Sequence, residues 1–364
     1  MTTLYTYYLP LYGMRFDSEE VGFLGKGDVG ICRPAPDEWR RINKSDVWQE
    51  MLSNNFSIMT SEEDIPPCLS FFFEVDENEP AVTHIIRNYP NYSSFIWDPL
   101  LSLRLYKEGS FFNPQMAQQI FADDLNTSRE PGPYRQYFLH YRSIDFTDVY
   151  NLSVRELIQK LEDETPLNYL YELVKKSHQH SASFTESIPV RNFHLSFGHF
   201  TKHTHRCSAL FTCLEGIIGE MKRNQTFNSK LKYHYINRLE CLLANASYSG
   251  AKEDCSWLDD HKYGARYLRN NIAHGNQKEI KDLAEQCYQR LQNFVRVVLK
   301  QYLIFLEVYA NHKKSIDNIL HLQHGCSNTE AFNLFVETLI AQNNDTKEFN
   351  QHLINVSLQI QPHS

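Results

Sequence analysis

The chain has 364 residues, of which 42% are hydrophobic and 13% aromatic, so it can bury a core in each of two domains. This composition excludes a disordered chain, and the absence of an apolar run of about 18 residues excludes a membrane span. The start, MTTLYTYYLPLYG, lacks the pattern of a signal peptide, so we expect a cytoplasmic protein. Its eight cysteines are scattered, which favours reduced thiols over a disulfide framework.

Charge is unevenly distributed along the chain, whose net charge is −8. Residues 191–300 contain 17 basic and 10 acidic side chains, for a net charge of +7, whereas residues 1–190 carry −12 and residues 301–364 carry −3. A basic block inside an acidic chain is expected where one domain meets a polyanion. The alternative is a chance excess of solvated lysines.

The first 150 residues predict a β-rich domain with some helix. The runs LYTYYLPLYG, LSFFFEV and YRQYFLHYR are aromatic and β-branched, and clusters of Pro, Gly and Asn separate them. GFLGKGDVG at 22–30 resembles a phosphate-binding loop in composition, but its spacing does not fit. We therefore expect a glycine-rich hairpin there.

Two helices are predicted to close this first domain. Ser153 and Glu156 have the spacing of a capping box, and Thr165 before Pro166 has that of an N-cap with proline at the first helical position. The serine-rich segment 177–190 lacks apolar periodicity and is predicted to be a linker. The expected mixed α/β domain therefore covers residues 1–180.

Beyond the linker the pattern changes to amphipathic helices. Apolar residues recur at three- and four-residue steps near 199–222, 229–245, 256–274 and 279–309. In the first of these helices the apolar stripe consists of Leu210, Phe211, Leu214, Ile217, Ile218 and Met221. We expect an α+β fold, with an all-α helical bundle at 191–310 and a helical extension at 311–364 after the β-rich domain.

A histidine-rich stretch, NFHLSFGHFTKHTHRC, opens the bundle. His199 and His203 are one helical turn apart, as zinc ligands can be, but Phe200 stands where a metalloprotease motif requires Glu. Lys202 and Arg206 share this face, which favours contact with RNA. A zinc-dependent enzyme is the weaker alternative.

The stretch YLRNNIAHGNQ at 267–277 concentrates polar side chains on a predicted helix. With about 100° between successive residues, Arg269 at 0° is followed by Asn270 at about 100° and His274 at about 140°. Arg266, at about 60°, completes one polar face. This face is the candidate site, and Arg266 is a candidate RNA contact.

Arg269 also falls inside the predicted apolar stripe of the same helix, which consists of Leu258, Ala265, Leu268 and Ile272. A guanidinium in that position is costly unless it is paired, turned outward by a kink in the helix, or placed at an interface. Glu215 lies about 100° from Leu214, at the edge of an earlier stripe, and we expect it within hydrogen-bonding distance of Arg269. Gly275 predicts the end of the helix, which leaves His274 accessible to solvent.

Arginine, asparagine and histidine together can cleave RNA without a metal, because the imidazole moves protons and the guanidinium stabilises the phosphorane. RNNIAH at 269–274 resembles the motif of HEPN-domain ribonucleases, and the following HG resembles their Apea-like branch. The resemblance covers about 195–310 and includes FTCLEGIIGE, whose Leu-Glu pair looks like an acidic position of that branch. More weakly, LLSLRLYKEGSFF at 100–112 looks like a segment of related bacterial proteins.

The resemblance implies that Arg269 and His274 are catalytic, that Asn270 is their polar companion and that Glu215 partners Arg269. It also implies a homodimer with a composite site, in anti-phage defence or a toxin system. We therefore expect a metal-independent endoribonuclease without a cofactor, acting on single-stranded RNA. Its N-terminal domain would recognise a phage-derived or protein trigger, or select the substrate. The alternative is a non-catalytic HEPN dimer that binds a nucleotide or a protein partner.

Overall fold

The structure is a computed structural model of the chain. It describes residues 2–11, 13–18, 20–25, 29–36, 39, 65–76, 92–109, 111, 150–158, 164–180, 188–197, 202–220, 239, 243, 250–260, 262–275, 277–311 and 344–360. Within these ranges strands and helices are mixed and helix predominates, which is compatible with the expected α+β fold. None of the described helices is both long and apolar enough to cross a membrane.

The described strands all lie in the N-terminal part of the chain. They are β1 Thr2–Pro10, β2 Met14–Phe16, β3 Gly22–Leu24, β4 Val29–Cys32, β5 Cys68–Asp76 and β6 Tyr150–Leu152. Four of them form an antiparallel sheet in the order β1-β5-β4-β3, and β2 pairs with β6 in parallel. The aromatic and β-branched runs of β1 and β5 are therefore confirmed as strands, whereas YRQYFLHYR lies outside the described residues.

The predicted glycine-rich hairpin is confirmed. Strand β3 pairs antiparallel with β4, with Leu24 opposite Val29. Gly25 has a φ of 62°, a left-handed conformation that glycine adopts without a steric penalty. Its amide donates a hydrogen bond to Oδ1 of Asn168 at 2.7 Å.

The described helices follow mainly in the second half of the chain. They are α1 Tyr92–Tyr106, α2 Pro166–His180, α3 Ile188–Ser196, α4 His203–Glu220, α5 Ala251–Asp259, α6 Ala265–Ala273, α7 Gln277–Asn311 and α8 Asn344–Gln359. Thr165 caps α2 as predicted, since its Oγ1 accepts the Asn168 amide at 3.2 Å. Helix α2 continues to His180, four residues into the segment predicted as a linker.

The other predicted helix before the linker is much shorter than expected. Glu156 accepts the backbone amide of Ser153 at 2.8 Å, as in a capping box, but the helix is one 3₁₀ turn, Val154–Glu156. The next residue, Leu157, is extended, so the turn ends there. The chain pairs with strand β3 instead, since the Phe23 amide donates to the carbonyl of Ile158 at 3.0 Å and the Ile158 amide donates to the carbonyl of Phe23 at 3.1 Å.

The chain divides into two compact units. Unit 1 comprises Met1–Leu100, Lys107–Tyr171 and Phe197–Phe200, and unit 2 comprises Leu101–Tyr106, Glu172–Ser196 and Thr201–Ser364. Unit 2 is built from helices, in which α4 packs against α3 and α7, and the short helix α6 packs against α4, α5 and α7. The candidate site lies within unit 2, on α4 and α6.

The core of unit 2 matches much of the predicted helical periodicity. In α4 the side chains of Leu210, Phe211, Leu214 and Ile217 are buried, as expected. The predicted helix at 229–245 lies almost wholly outside the described residues. The stripe predicted at 256–274 is divided between α5 and α6, because the chain leaves the helical conformation at Asp260.

Candidate functional site

An ion pair between helices α4 and α6 is the centre of the candidate site. Nε of Arg269 donates to Oε1 of Glu215 at 2.7 Å, and Nη2 of the same guanidinium contacts the same oxygen. Leu214 is buried on the apolar face of α4, and the next residue, Glu215, lies at the edge of that face. The predicted contact between Glu215 and Arg269 is confirmed.

Arg269 is half exposed rather than enclosed by the apolar stripe in which its angular position placed it. Its side chain is 49% exposed, and that of Glu215 is 45% exposed. The expectation joined Leu258 and Leu268 on one helix, but the break between α5 and α6 changes the helical phase. The inward face of α6 is formed by Ala265 and Leu268, and the next residue, Arg269, turns toward solvent with one side against Glu215.

His274 ends helix α6 and is exposed. Its backbone amide still donates to the carbonyl of Asn270 at 3.0 Å, and the Gly275 amide donates to the carbonyl of Ile272 at 3.2 Å. Gly275 has a φ of 79°, the left-handed conformation typical of a residue that terminates a helix. The predicted helix end and the accessibility of His274 are both confirmed.

The two asparagines of the motif have different surroundings. Nδ2 of Asn271 donates to the carbonyl of Tyr267 at 2.9 Å, so its amide serves the helix itself. Asn270 is partly exposed and lies one turn before His274, which places their side chains on the same face. Asn270 is thus the asparagine positioned to act beside the histidine.

A structured turn precedes α6, and the sequence pattern did not predict it. Oδ1 of Asp260 accepts the amides of Lys262 at 2.8 Å and Tyr263 at 3.3 Å. A Cβ added at Gly264 would lie 2.2 Å from the carbonyl oxygen of Trp257, so a side chain does not fit there. The Asp and Gly of LDDHKYG are typical turn residues and were the available signal for this break.

Arg266 lies on α6 beside this turn. Its Nη1 contacts Oδ1 of Asp259 at 2.5 Å, and its side chain is only 18% exposed. The ion pair joins the end of α5 to the start of α6. Arg266, predicted as an RNA contact, therefore has a protein partner and little free surface.

Arg206, another predicted RNA contact, is buried. Its Nε donates to the carbonyl of Ser196 at 3.0 Å, its Nη2 donates to Oη of Tyr288 at 2.8 Å, and its guanidinium lies over the ring of that tyrosine. Burial raises the pKa of Tyr288 to about 12 against the opposing effect of Arg206. These contacts give Arg206 a role in packing α3, α4 and α7, and remove it from the surface that RNA can reach.

The histidine-rich stretch offers no metal cluster among the described residues. Partial burial lowers the pKa of His203, the neighbouring Arg206 lowers it further, and Glu285 opposes them. His199 lies outside the described part of the chain. Within that part, no three His, Cys, Asp or Glu side chains come together as metal ligands. Lys202 is exposed and remains available to a polyanion.

The chain matches no protein-family model. Neither a curated protein nor a solved structure matches it. Assignment to the HEPN ribonucleases therefore stays a prediction that rests on the residues of the motif.

The geometry of the site is suited to binding a phosphate. Glu215 holds one side of the Arg269 guanidinium, while half of that side chain is open to solvent. An arginine held in this way loses less side-chain entropy when it binds an anion than a free one does. The exposed imidazole of His274, at the end of the same helix, can transfer a proton to or from a bound molecule.

Proposed function

We propose that unit 2 is a metal-independent endoribonuclease of the HEPN type, with Arg269, Asn270 and His274 as its catalytic residues. The observation that carries this proposal is the pairing of Arg269 with Glu215 from another helix, on the same short helix that ends at the exposed His274. A ribonuclease needs both groups at one surface.

The reaction begins at the ribose 2′-hydroxyl of the substrate. A histidine removes its proton, and the 2′-oxygen attacks the adjacent phosphorus as the bond to the 5′-oxygen breaks. The leaving oxygen receives a proton, and the products carry a 2′,3′-cyclic phosphate and a 5′-hydroxyl. Arg269 stabilises the charge on the phosphorane, and Asn270 orients the imidazole or the phosphate.

Single-stranded regions of RNA are the expected substrate, because a duplex holds its backbone away from the in-line geometry of this attack. The excess of basic residues at 191–300 supports binding of a polyanion, and Lys202 is an exposed member of that block. A homodimer and a role in anti-phage defence or a toxin system follow from the resemblance to the HEPN family. Unit 1 is then the part that recognises a trigger or selects the substrate.

The test is cleavage of single-stranded RNA by purified protein in excess EDTA. His274→Ala is expected to lower kcat by roughly 100-fold or more, the usual contribution of a general acid or base. His205→Ala is the matched control, since His205 is an exposed histidine on α4 away from the motif, and it should keep full activity. Products are assigned by their 2′,3′-cyclic phosphate and 5′-hydroxyl ends.

Two results contradict the proposal. Near wild-type cleavage by folded His274→Ala protein would remove this histidine from the reaction. Cleavage of an oligonucleotide with a single 2′-deoxy residue at the cut site would exclude the 2′-hydroxyl as nucleophile. Binding of RNA without any cleavage would instead support the non-catalytic alternative.

A further inference from the structure

Tyr263 is the most exposed large hydrophobic side chain among the described residues, at 80%. A single exposed ring is ordinary on a protein surface. This one, however, lies immediately before the helix that carries Arg269 and His274, in a loop whose backbone is held in place. Its position therefore bears on what the site binds.

The turn that presents Tyr263 is fixed at both of its ends. The Asp260 carboxylate accepts the backbone amide of Tyr263 itself, and the Asp260 carbonyl accepts the amide of Tyr267 at 3.3 Å. On the other side, Gly264 packs so tightly on the Trp257 carbonyl that it has no room for a Cβ. These contacts restrain the backbone under the ring. A ligand that covers the ring therefore binds without the entropy cost of restraining this backbone.

Two cationic side chains lie near the ring along the chain, together with the Asp260 carboxylate, which accepts the backbone amides of Lys262 and Tyr263. Lys262, directly before it, is exposed, and the half-exposed guanidinium of Arg269 lies on the adjoining helix. Aromatic rings beside cationic groups are the usual platform for single-stranded nucleic acids, in which the bases stack and the phosphates meet the charges. Building on the ribonuclease function proposed above, we propose that Tyr263 stacks on an unpaired base of the RNA substrate and positions the strand on α6.

The base that stacks on Tyr263 is not next to the phosphodiester bond that is cut. Tyr263 precedes α6 and His274 follows it, and nine helical residues span roughly 13 Å at the rise of an α-helix. Tyr263 therefore cannot contact the reacting phosphate at the same time as His274 does. It is a positioning residue, whose loss weakens binding of the substrate and leaves the chemical step unchanged.

The first experiment compares Tyr263→Ala, Tyr263→Phe and wild type on single-stranded RNA. For Tyr263→Ala, KM is expected to rise about 5- to 100-fold with kcat unchanged, since stacking is the interaction removed. Tyr263→Phe keeps the π-face and should restore the wild-type KM. Leu195→Ala, which removes an exposed apolar side chain from α3, is the matched control and should change nothing.

The second experiment measures binding apart from cleavage. The probe is a labelled single-stranded oligoribonucleotide that is methylated at every 2′-oxygen and therefore cannot be cut. A series of such probes carries one abasic nucleotide, each at a different position. At one position, the abasic nucleotide should weaken binding to wild type by the same factor by which Tyr263→Ala weakens binding of the intact probe. At that position it should not weaken binding to the Tyr263→Ala variant any further. If this position-dependent loss of binding is seen while unmodified RNA is not cleaved, the ribonuclease proposal is defeated and the stacking proposal stands.

Several outcomes overturn the stacking proposal. Equal KM and equal probe affinity for Tyr263→Ala and wild type would overturn it while the ribonuclease proposal stands. Failure of Tyr263→Phe to restore binding would show that the ring face is not what the RNA contacts. A loss of dimer mass in Tyr263→Ala by light scattering would assign the ring to an interface between copies of this chain.

Discussion

At the scale of single residues, the pair formed by Glu215 and Arg269 contributes little to stability. Both side chains are about half exposed, and pairs of this kind typically contribute roughly 0–1 kcal/mol. The interaction fixes the direction of the guanidinium instead. Glu215 is then a positioning residue for Arg269.

Replacing Glu215 by Gln tests this role. The variant keeps a side chain of the same shape but removes the charge that holds Arg269, so kcat for RNA cleavage should fall by roughly 10- to 100-fold. The free energy of unfolding in urea should change by less than about 1 kcal/mol. The matched control is Asp282→Asn, which neutralises an exposed carboxylate on α7. An unchanged kcat in Glu215→Gln would show that Arg269 needs no partner.

At the scale of elements, helix α6 is short and depends on the turns at its two ends. Gly264 precedes it with an extended backbone that any residue can adopt, whereas Gly275 follows it in the left-handed region. At Gly264 the restriction is steric, because the Trp257 carbonyl occupies the position of a Cβ. At Gly275 it is conformational, because nothing lies within 4 Å of an added Cβ.

These two causes predict different responses to substitution. Gly264→Ala should lower the free energy of unfolding by about 1–3 kcal/mol through overpacking, and it should lower RNA cleavage because it displaces the start of α6. Gly275→Ala should cost about 1–2 kcal/mol for the left-handed conformation. Urea unfolding measures both.

Asparagine at each position separates the two causes. Asparagine tolerates the left-handed conformation, so Gly275→Asn should recover part of the stability that Gly275→Ala loses. Gly264→Asn should be no better than Gly264→Ala, since its Cβ meets the same carbonyl. A full recovery at position 264 would refute the steric explanation.

At the scale of the whole molecule, one copy of the motif offers few catalytic groups. The reaction needs one proton removed and another delivered, and the described motif contains one histidine, His274. A two-fold arrangement of α6 segments would bring two imidazoles and two guanidinium groups into one cleft. We therefore propose that the active form is a dimer.

Light scattering of the active protein should therefore give about twice the chain mass of 42.8 kDa. Specific activity should fall on dilution below the dissociation constant of the dimer, because an isolated site lacks the second histidine. His205→Ala, the active surface control, should show the same concentration dependence as wild type. Constant specific activity in a sample that is monomeric throughout would contradict a composite site.

The amino-acid sequence by itself determined the features that depend on neighbouring residues. The hairpin at 22–32, the Thr165 cap, the apolar stripe of α4 and the stop at Gly275 all follow from local conformational preferences and helical periodicity. The contact between Glu215 and Arg269 was also predictable. An arginine expected near the core required a carboxylate, and periodicity placed Glu215 at the edge of a facing stripe.

The tertiary structure alone decided which charged residues face solvent. Arg206 and Arg269 look alike in the sequence, yet Arg206 is buried against Tyr288 whereas Arg269 is half exposed. Periodicity gives the angle of a side chain around its own helix, but burial depends on which helix lies over that angle. The exposure of Arg269 was decided in the same way, because α6 packs on its neighbouring helices through Ala265 and Leu268 and leaves Arg269 half exposed beside Glu215 of α4.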